Sequence, residues 1–204
     1  FQYSLFAFAN LFVQSSVNSF DHVLVEGNSA AANADPLVYD MMAAFYTACS
    51  SFIAQNFGAR KKKRILQTYL ICLFYSFITS LVLGVGIYLA RYPFLYLFTS
   101  DKAVVEAGIT RLSIMALSYS ASAFMDASIA ASRGLGKTAV PTFVVVMGSC
   151  VFRIIWIYTI FAYFHTIQSL YILYVFSWGI TAIAENIYFF HVYRHTLTEK
   201  KELC

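Results

Sequence analysis

Between residues 65 and 90 the chain runs without a single charged side chain. An α-helix rises 1.5 Å per residue, so about 20 apolar residues are needed to cross about 30 Å of hydrocarbon. This stretch meets that length and is far too long for one buried strand. Five other segments meet the test or come near it: 1–20, 37–57, 110–131, 138–164 and 167–193. The first two carry few or no charges. The third of the five contains Arg111 and Asp126, the fourth only Arg153, and the last Glu185 and His191. The expectation is an all-α membrane protein, a six-helix transmembrane lobe over 1–194 with a cytoplasmic tail from 195. Composition agrees. Charged residues make up 12% and apolar residues 60%, with mean hydropathy +0.67. A water-soluble domain carries roughly a quarter charged residues. Lipid is therefore the solvent the sequence asks for, and aromatic residues, at 18%, suit its interfaces.

The segment ends carry stop and start signals. Asp35-Pro36 reads as an N-cap and first turn for the second span, and Gly58 as its close. Tyr92-Pro93 breaks the chain after the third span, Ser100-Asp101 caps the fourth, and 133–137 reads as a tight turn. Short connections make neighbouring spans antiparallel. The basic residues then sort by side. Arg60, Lys61, Lys62, Lys63, Arg64, Arg133, Lys137, Arg194, Lys200 and Lys201 fall together, ten of the fourteen. Arg91 and Lys102 fall opposite, among Asp21, Glu26, Asp35, Asp40 and Asp101. By the positive-inside rule the basic side is cytoplasmic, as are both ends of this chain. The span assignment made no use of charge, so the agreement is an independent check.

Ionisable groups inside a membrane cost at least ~2.5–3.5 kcal/mol and should face protein or water. Asp126 is the sharpest candidate. Residues at i and i+4 share a helix face, which places Ser118, Ser122 and Asp126 on one stripe with Met115 and Tyr119 beside it. A carboxylate among hydroxyls and a phenol is a site for Na⁺ or H⁺. The alternative is a structural ion pair with Arg153 or Arg111. Asn10, Gln14 and Asn18 form a second stripe in the first span, suited either to a wet cavity or to interhelical contacts worth ~0.6 kcal/mol each. Glu185, with Thr181 and Trp178 at i−4 and i−7, is either a functional acid or a partner for Arg153.

Other signals exclude functions. The net charge of +4 comes from short loops, so it is no nucleic-acid footprint. Cys49, Cys72, Cys150 and Cys204 show neither CxxC nor Cys/His spacing, which argues against a disulfide framework or zinc site. His22, His165, His191 and His195 sit at span ends, where interfacial anchoring is the default. Gly136-Lys137-Thr138 mimics the end of a P-loop, but Ala131 stands where its first glycine belongs and no strand precedes it. An intramembrane enzyme would need a nucleophile and base at depth, or a metal cluster, and neither is evident. The chain opens on Phe1 directly in an apolar run, with no signal-peptide features, so an N-terminal portion is expected to precede it.

The order of several short runs resembles the C-terminal half of the multidrug and toxic compound extrusion (MATE) family of antiporters. They are residues 14–20 (QSSVNSF), 26–31 (EGNSAA), 55–59 (QNFGA), 133–136 (RGLG) followed by Pro141, and 150–156 (CVFRIIW). The resemblance implies a twelve-helix protein of two lobes, this chain being the second, with the N-terminal six-helix lobe as its partner. It implies multidrug efflux, the export of cationic or amphipathic xenobiotics driven by inward Na⁺ or H⁺, in a bacterial cytoplasmic membrane, with no cofactor beyond that ion. Alternating access would rock one lobe against the other. Family members place an acid in the helix matching the fourth span, some one turn earlier, near Ser122. Several also carry Glu in the first helix, where this chain has Asn10 and Gln14. Asp21 and Glu26 depart from the small residues expected there. The expected cavity residues are therefore Asp126, Ser122, Tyr119, Asn10, Gln14, Asn18, Arg153 and Glu185. The alternative in the same superfamily is a lipid-linked oligosaccharide flippase, for which only Arg111 and Arg153 supply cavity cations.

Overall fold

The computed structural model describes residues 2–196, with side chains from Ala9 onward. Phe1 and the tail residues 197–204, including Lys200, Lys201 and Cys204, lie outside the described residues. The described chain is helical from end to end: α1 (Gln2–Val17), α2 (His22–Ala32), α3 (Ala34–Gly58), α4 (Lys62–Leu89), α5 (Arg91–Tyr96) and α6 (Lys102–Gly134). A rod then runs through α7 (Ala139–Val146), α8 (Phe152–Trp156) and α9 (Ala162–Phe164), joined by π-helical turns at Met147–Val151 and Ile157–Phe161. α10 (Ile167–His195) closes the bundle. Among the described residues, five helical stretches are long and apolar enough to cross a membrane: His22–Gly58, Lys62–Leu89, Lys102–Gly134, Ala139–Phe164 and Ile167–His195.

Two stretches read from sequence as outer connections are helical instead. Residues 21–36 hold α2, capped by the Asp21 carboxylate accepting from the His22 backbone N–H at 2.8 Å. α2 and α3 are nearly one helix, interrupted at Asn33. Pro36 supplies the reason. It has no N–H to donate to the carbonyl four residues back, so the ladder opens there. Asn33 Nδ2 covers the gap by donating to the carbonyls of Ser29 and Ala30 at 3.2 and 3.0 Å. Asp35 is thus inside a helix and is not its N-cap. Likewise α6 begins at Lys102, eight residues before the expected start of its span, capped by Asp101 accepting from the Ala103 N–H at 2.8 Å.

α6 is the axis of the lobe. It packs against α2, α3, α4, α5 and α10, and most of its length is buried. Small residues let the helices close on it. A side chain at Gly84 of α4 would run into the backbone carbonyl of Ala116, and one at Gly148 into Thr181 of α10. The outer surface is apolar instead of polar: Leu11, Phe52, Leu70, Phe74, Phe143 and Ile187 are all exposed. That is the arrangement expected when lipid is the solvent. Tyr69 of α4 ties three helices together, donating to Asn186 Oδ1 of α10 at 2.7 Å with Ser128 of α6 at 3.0 Å. At the basic end Lys62 donates to the carbonyl of Arg194 at 2.9 Å, and Gly136 turns the chain into α7 with φ of 77°.

Candidate functional site

The polar residues of the interior form a column that runs through the lobe beside α6. At one end a cavity of about 210 Å³ opens between α1, α2, α3, α6 and α10. Asn10, Gln14, Asn28, Asp35, Arg111, Tyr171 and Tyr174 line it, with Val13, Val17 and Leu170 as its apolar wall. Its strongest contact is the ion pair between Arg111 Nη2 and Asp35 Oδ2 at 2.6 Å. Tyr119 donates to the other oxygen, Oδ1, at 2.5 Å. The side chain of Arg111 is buried and Asp35 faces the cavity. A charge inside a span demands a partner. Arg111 announces that demand in the sequence, but Asp35 reads there as the N-cap of the second span, so the pair is missed.

Arg153 lies nearby and is 3% exposed. Nη1 donates to Asn10 Oδ1 at 3.0 Å and Nε to Ser177 Oγ at 3.3 Å, while the guanidinium sits 4.5 Å from the centroid of the Tyr174 ring. Ser177 in turn donates to the Gly148 carbonyl at 2.9 Å. No carboxylate among the described residues lies within ion-pair distance of Arg153. Charge-assisted hydrogen bonds and a cation–π contact hold it instead. The π-helical turns on either side of α8 carry one residue more per turn than the α-ladder, a feature frequent at functional sites.

Below the cavity, Tyr119, Tyr39 and Trp178 make a cluster of rings with centroids 6.1–6.4 Å apart. Tyr39 stands beside Ser122. Ser118 and Ser122 turn their hydroxyl protons to the carbonyls of Ile114 and Tyr119 in their own helix, at 2.6 and 2.8 Å. Their lone pairs remain on the stripe that carries Asp126. Oδ2 of Asp126 is buried with no hydrogen-bond partner among the described residues. Two alternatives raised by the sequence are therefore corrected. Asp126 pairs with neither Arg111 nor Arg153, because Arg111 is committed to Asp35 and Arg153 to Asn10 and Ser177. Nor is Glu185 the partner of Arg153.

The remaining expected residues divide. Asn10 joins Arg153, as above. Gln14 and Asn18 lie exposed and bond to each other, Nε2 to Oδ1 at 2.9 Å, so Gln14 reaches the cavity wall while Asn18 does not line it. Glu185 is wholly buried further along α10. Tyr171 and Tyr174 were missed as site residues. Tyr171 and Tyr174 lie one helical turn apart, a period-of-three signal present in the sequence. No three His, Cys, Asp or Glu side chains among the described residues gather as a site for a transition metal. A single carboxylate among hydroxyls suits a monovalent cation or a proton.

The chain matches the fold of solved MATE transporters. VcmN of Vibrio cholerae in its bent form superposes with a TM-score of 0.83 at 18% identity, covering 93% of this chain and 43% of that one. The transporter ClbM, solved in complex with Rb⁺, gives 0.83 at 19% identity over 91% of this chain and 43% of that one. A MOP-superfamily transporter of Pyrococcus furiosus, described as having a binding pocket of reversed polarity, gives 0.69 at 19% identity over 94% and 41%. The chain thus spans less than half the length of these neighbours. No curated protein matches it. The family model MatE matches residues 1–159. This helical, multi-pass membrane chain belongs to the multidrug and toxic compound extrusion family of transporters.

Proposed function

We propose that this chain is the C-terminal lobe of a secondary active antiporter that exports cationic or amphipathic compounds in exchange for Na⁺ or H⁺, with Asp126 as the coupling acid. The observation that carries the reading is the bare, buried Oδ2 of Asp126 on the hydroxyl stripe of α6. A carboxyl oxygen left without a donor at that depth is costly as architecture, and the cost is met when an ion or proton binds there. The cavity supports a cationic or amphipathic cargo. Its one exposed acid is Asp35, its arginine is already paired, and Tyr171 and Tyr174 offer ring faces. The polar, exposed pair of Gln14 in α1 and Asn18 just beyond it supports a second lobe as its cover. In full-length protein reconstituted into liposomes, an imposed Na⁺ or H⁺ gradient should drive accumulation of an organic-cation dye. Loss of dye transport under both gradients would reject the reading.

Arg153, with no carboxylate partner among the described residues, favours a second reading, a lipid-linked oligosaccharide flippase. Its charge is turned to Asn10 and the ring of Tyr174, and that shielding ranks this reading below the first. Competition of the dye by lipid-linked oligosaccharide, with no effect from organic cations, would reverse the ranking.

Both ends of the lobe face the cytoplasm of a bacterial cell in this proposal, because the basic loops at 60–64 and 133–137 share one leaflet. A cysteine replacing Lys63 should react with a membrane-impermeant maleimide only after the cells are permeabilised. Labelling of intact cells would invert the topology.

A further inference from the structure

We propose that Glu185 is a second proton-carrying carboxyl of this lobe, exchanging its proton with a cytoplasmic pocket. The proposal rests on the antiporter reading and narrows its coupling ion to H⁺. Glu185 lies in the inner half of α10, is 0% exposed, and both its carboxyl oxygens are buried without a hydrogen-bond partner among the described residues. An acid retained for architecture would be fastened, as Asp35 is by Arg111 and Tyr119. Chains of Asp, Glu and His at membrane depth mark proton relays, and this carboxyl has such neighbours towards the cytoplasm.

Towards the cytoplasm, Glu185, Tyr188, Val192 and His195 follow one another at intervals of three and four along a single face of α10. Tyr188 is within electrostatic reach of Glu185 and also lines a pocket of about 400 Å³ at the basic end of the lobe. Lys137, His191, His195 and Thr196 line the same pocket, with the imidazoles of His191 and His195 4.8 Å apart. Across the helix interface, Asn186 beside Glu185 donates to the Phe124 carbonyl of α6 at 3.4 Å, which sets Glu185 level with Asp126.

The charged and titratable groups around Glu185 can be assigned by element. α6 supplies Asp126 at the same level and Arg133 towards the cytoplasm, and α10 itself supplies Tyr188. α4 supplies Tyr69, bonded to the adjacent Asn186. α7 supplies none, and Arg153 of α8 is turned to Asn10 and Ser177. The step is a simple transfer. The O–H bond at Glu185 breaks and an O–H bond forms on water in the pocket, and the reverse step reloads the carboxylate. No electron moves and no other bond changes.

The test uses full-length protein in liposomes with an imposed pH gradient and ethidium as the organic-cation probe. Glu185→Gln should lower gradient-driven ethidium transport by about tenfold or more, while equilibrium ethidium binding stays within about twofold. Glu185→Asp should restore part of the transport. Wild-type transport in Glu185→Gln would overturn the role of Glu185 and leave the antiporter reading intact. Absence of driven transport in the unaltered protein would overturn both. A second measurement needs no variant. Dicyclohexylcarbodiimide attacks protonated carboxyls in apolar surroundings, so it should modify Glu185 in the folded native protein, read by peptide mass spectrometry. Failure to modify Glu185 under conditions that modify Asp126 would also overturn the proposal.

Discussion

Asp126→Asn in the full-length protein should reduce ion-driven efflux to background, a fall of about two orders of magnitude. The amide has the same shape and volume as the acid, so the packing of α6 against α3 and α10 is kept. What it lacks is the ability to bind and release a proton or to neutralise a sodium ion. Coupling should therefore vanish while substrate binding persists, and exchange of labelled for unlabelled substrate across the membrane should continue without a gradient. The measurement is paired: gradient-driven efflux and gradient-free exchange, on protein shown by its detergent melting curve to be folded. Efflux at wild-type rates would remove Asp126 from the mechanism. Loss of binding together with efflux would recast it as a substrate ligand.

The ion pair of Arg111 and Asp35 should be the most sensitive point for stability. Asp35→Asn or Arg111→Met leaves one charge buried without its partner, a change that costs about 3–5 kcal/mol when the surviving group cannot reach water. The double replacement removes both charges and should recover most of that loss. Tyr119→Phe deletes only the phenolic donor to Asp35 and should cost about 1 kcal/mol. Thermal melting of the four proteins in detergent, read as a double-mutant cycle, gives the coupling directly. Additive losses in the double variant would show that the two residues act separately and that the contact contributes no specific coupling. The sign follows from burial. The Arg111 side chain is 6% exposed against 29% for Asp35, so removing the aspartate should be the worse of the two single changes.

Much of this was legible in the sequence, for physical reasons that can be named. The stretch 65–90 could be nothing but a spanning helix, and α4 holds all of it but Ala90, its C-cap. The stripe of Ser118, Ser122 and Asp126 needed only the helical period, and the structure keeps them on one face of α6. What could not be read was which helix face meets which. Periodicity identifies a stripe but not its partner. Arg111 was therefore offered Asp126, on its own helix and several turns away, while its actual partner is on α3. Asp35-Pro36 misled for a related reason. Proline is at home in any first turn, and that preference does not say whether a preceding helix leads into it. The residues at 21–36 and 102–109 carry more polar groups than a spanning segment, so hydropathy assigned them to loops, though they continue helices beyond the apolar core. The π-helical turns have no residue signature that pattern reading detects.

The glycine contacts of α4 with α6 and of the 139–164 rod with α10 bear on how such a molecule resists denaturation. Acyl chains wet Leu70 or Phe74 as readily as protein does, so separating these helices within a bilayer exposes no oily surface to water. Cohesion there depends on dispersion between closely apposed main chains and on internal polar bonds, both of which fade over a fraction of an ångström. Urea, which acts by solvating newly uncovered surface, should consequently be a poor probe of this lobe. Bulk introduced at a single Cα, as at Gly84 or Gly148, acts on the force that holds it together.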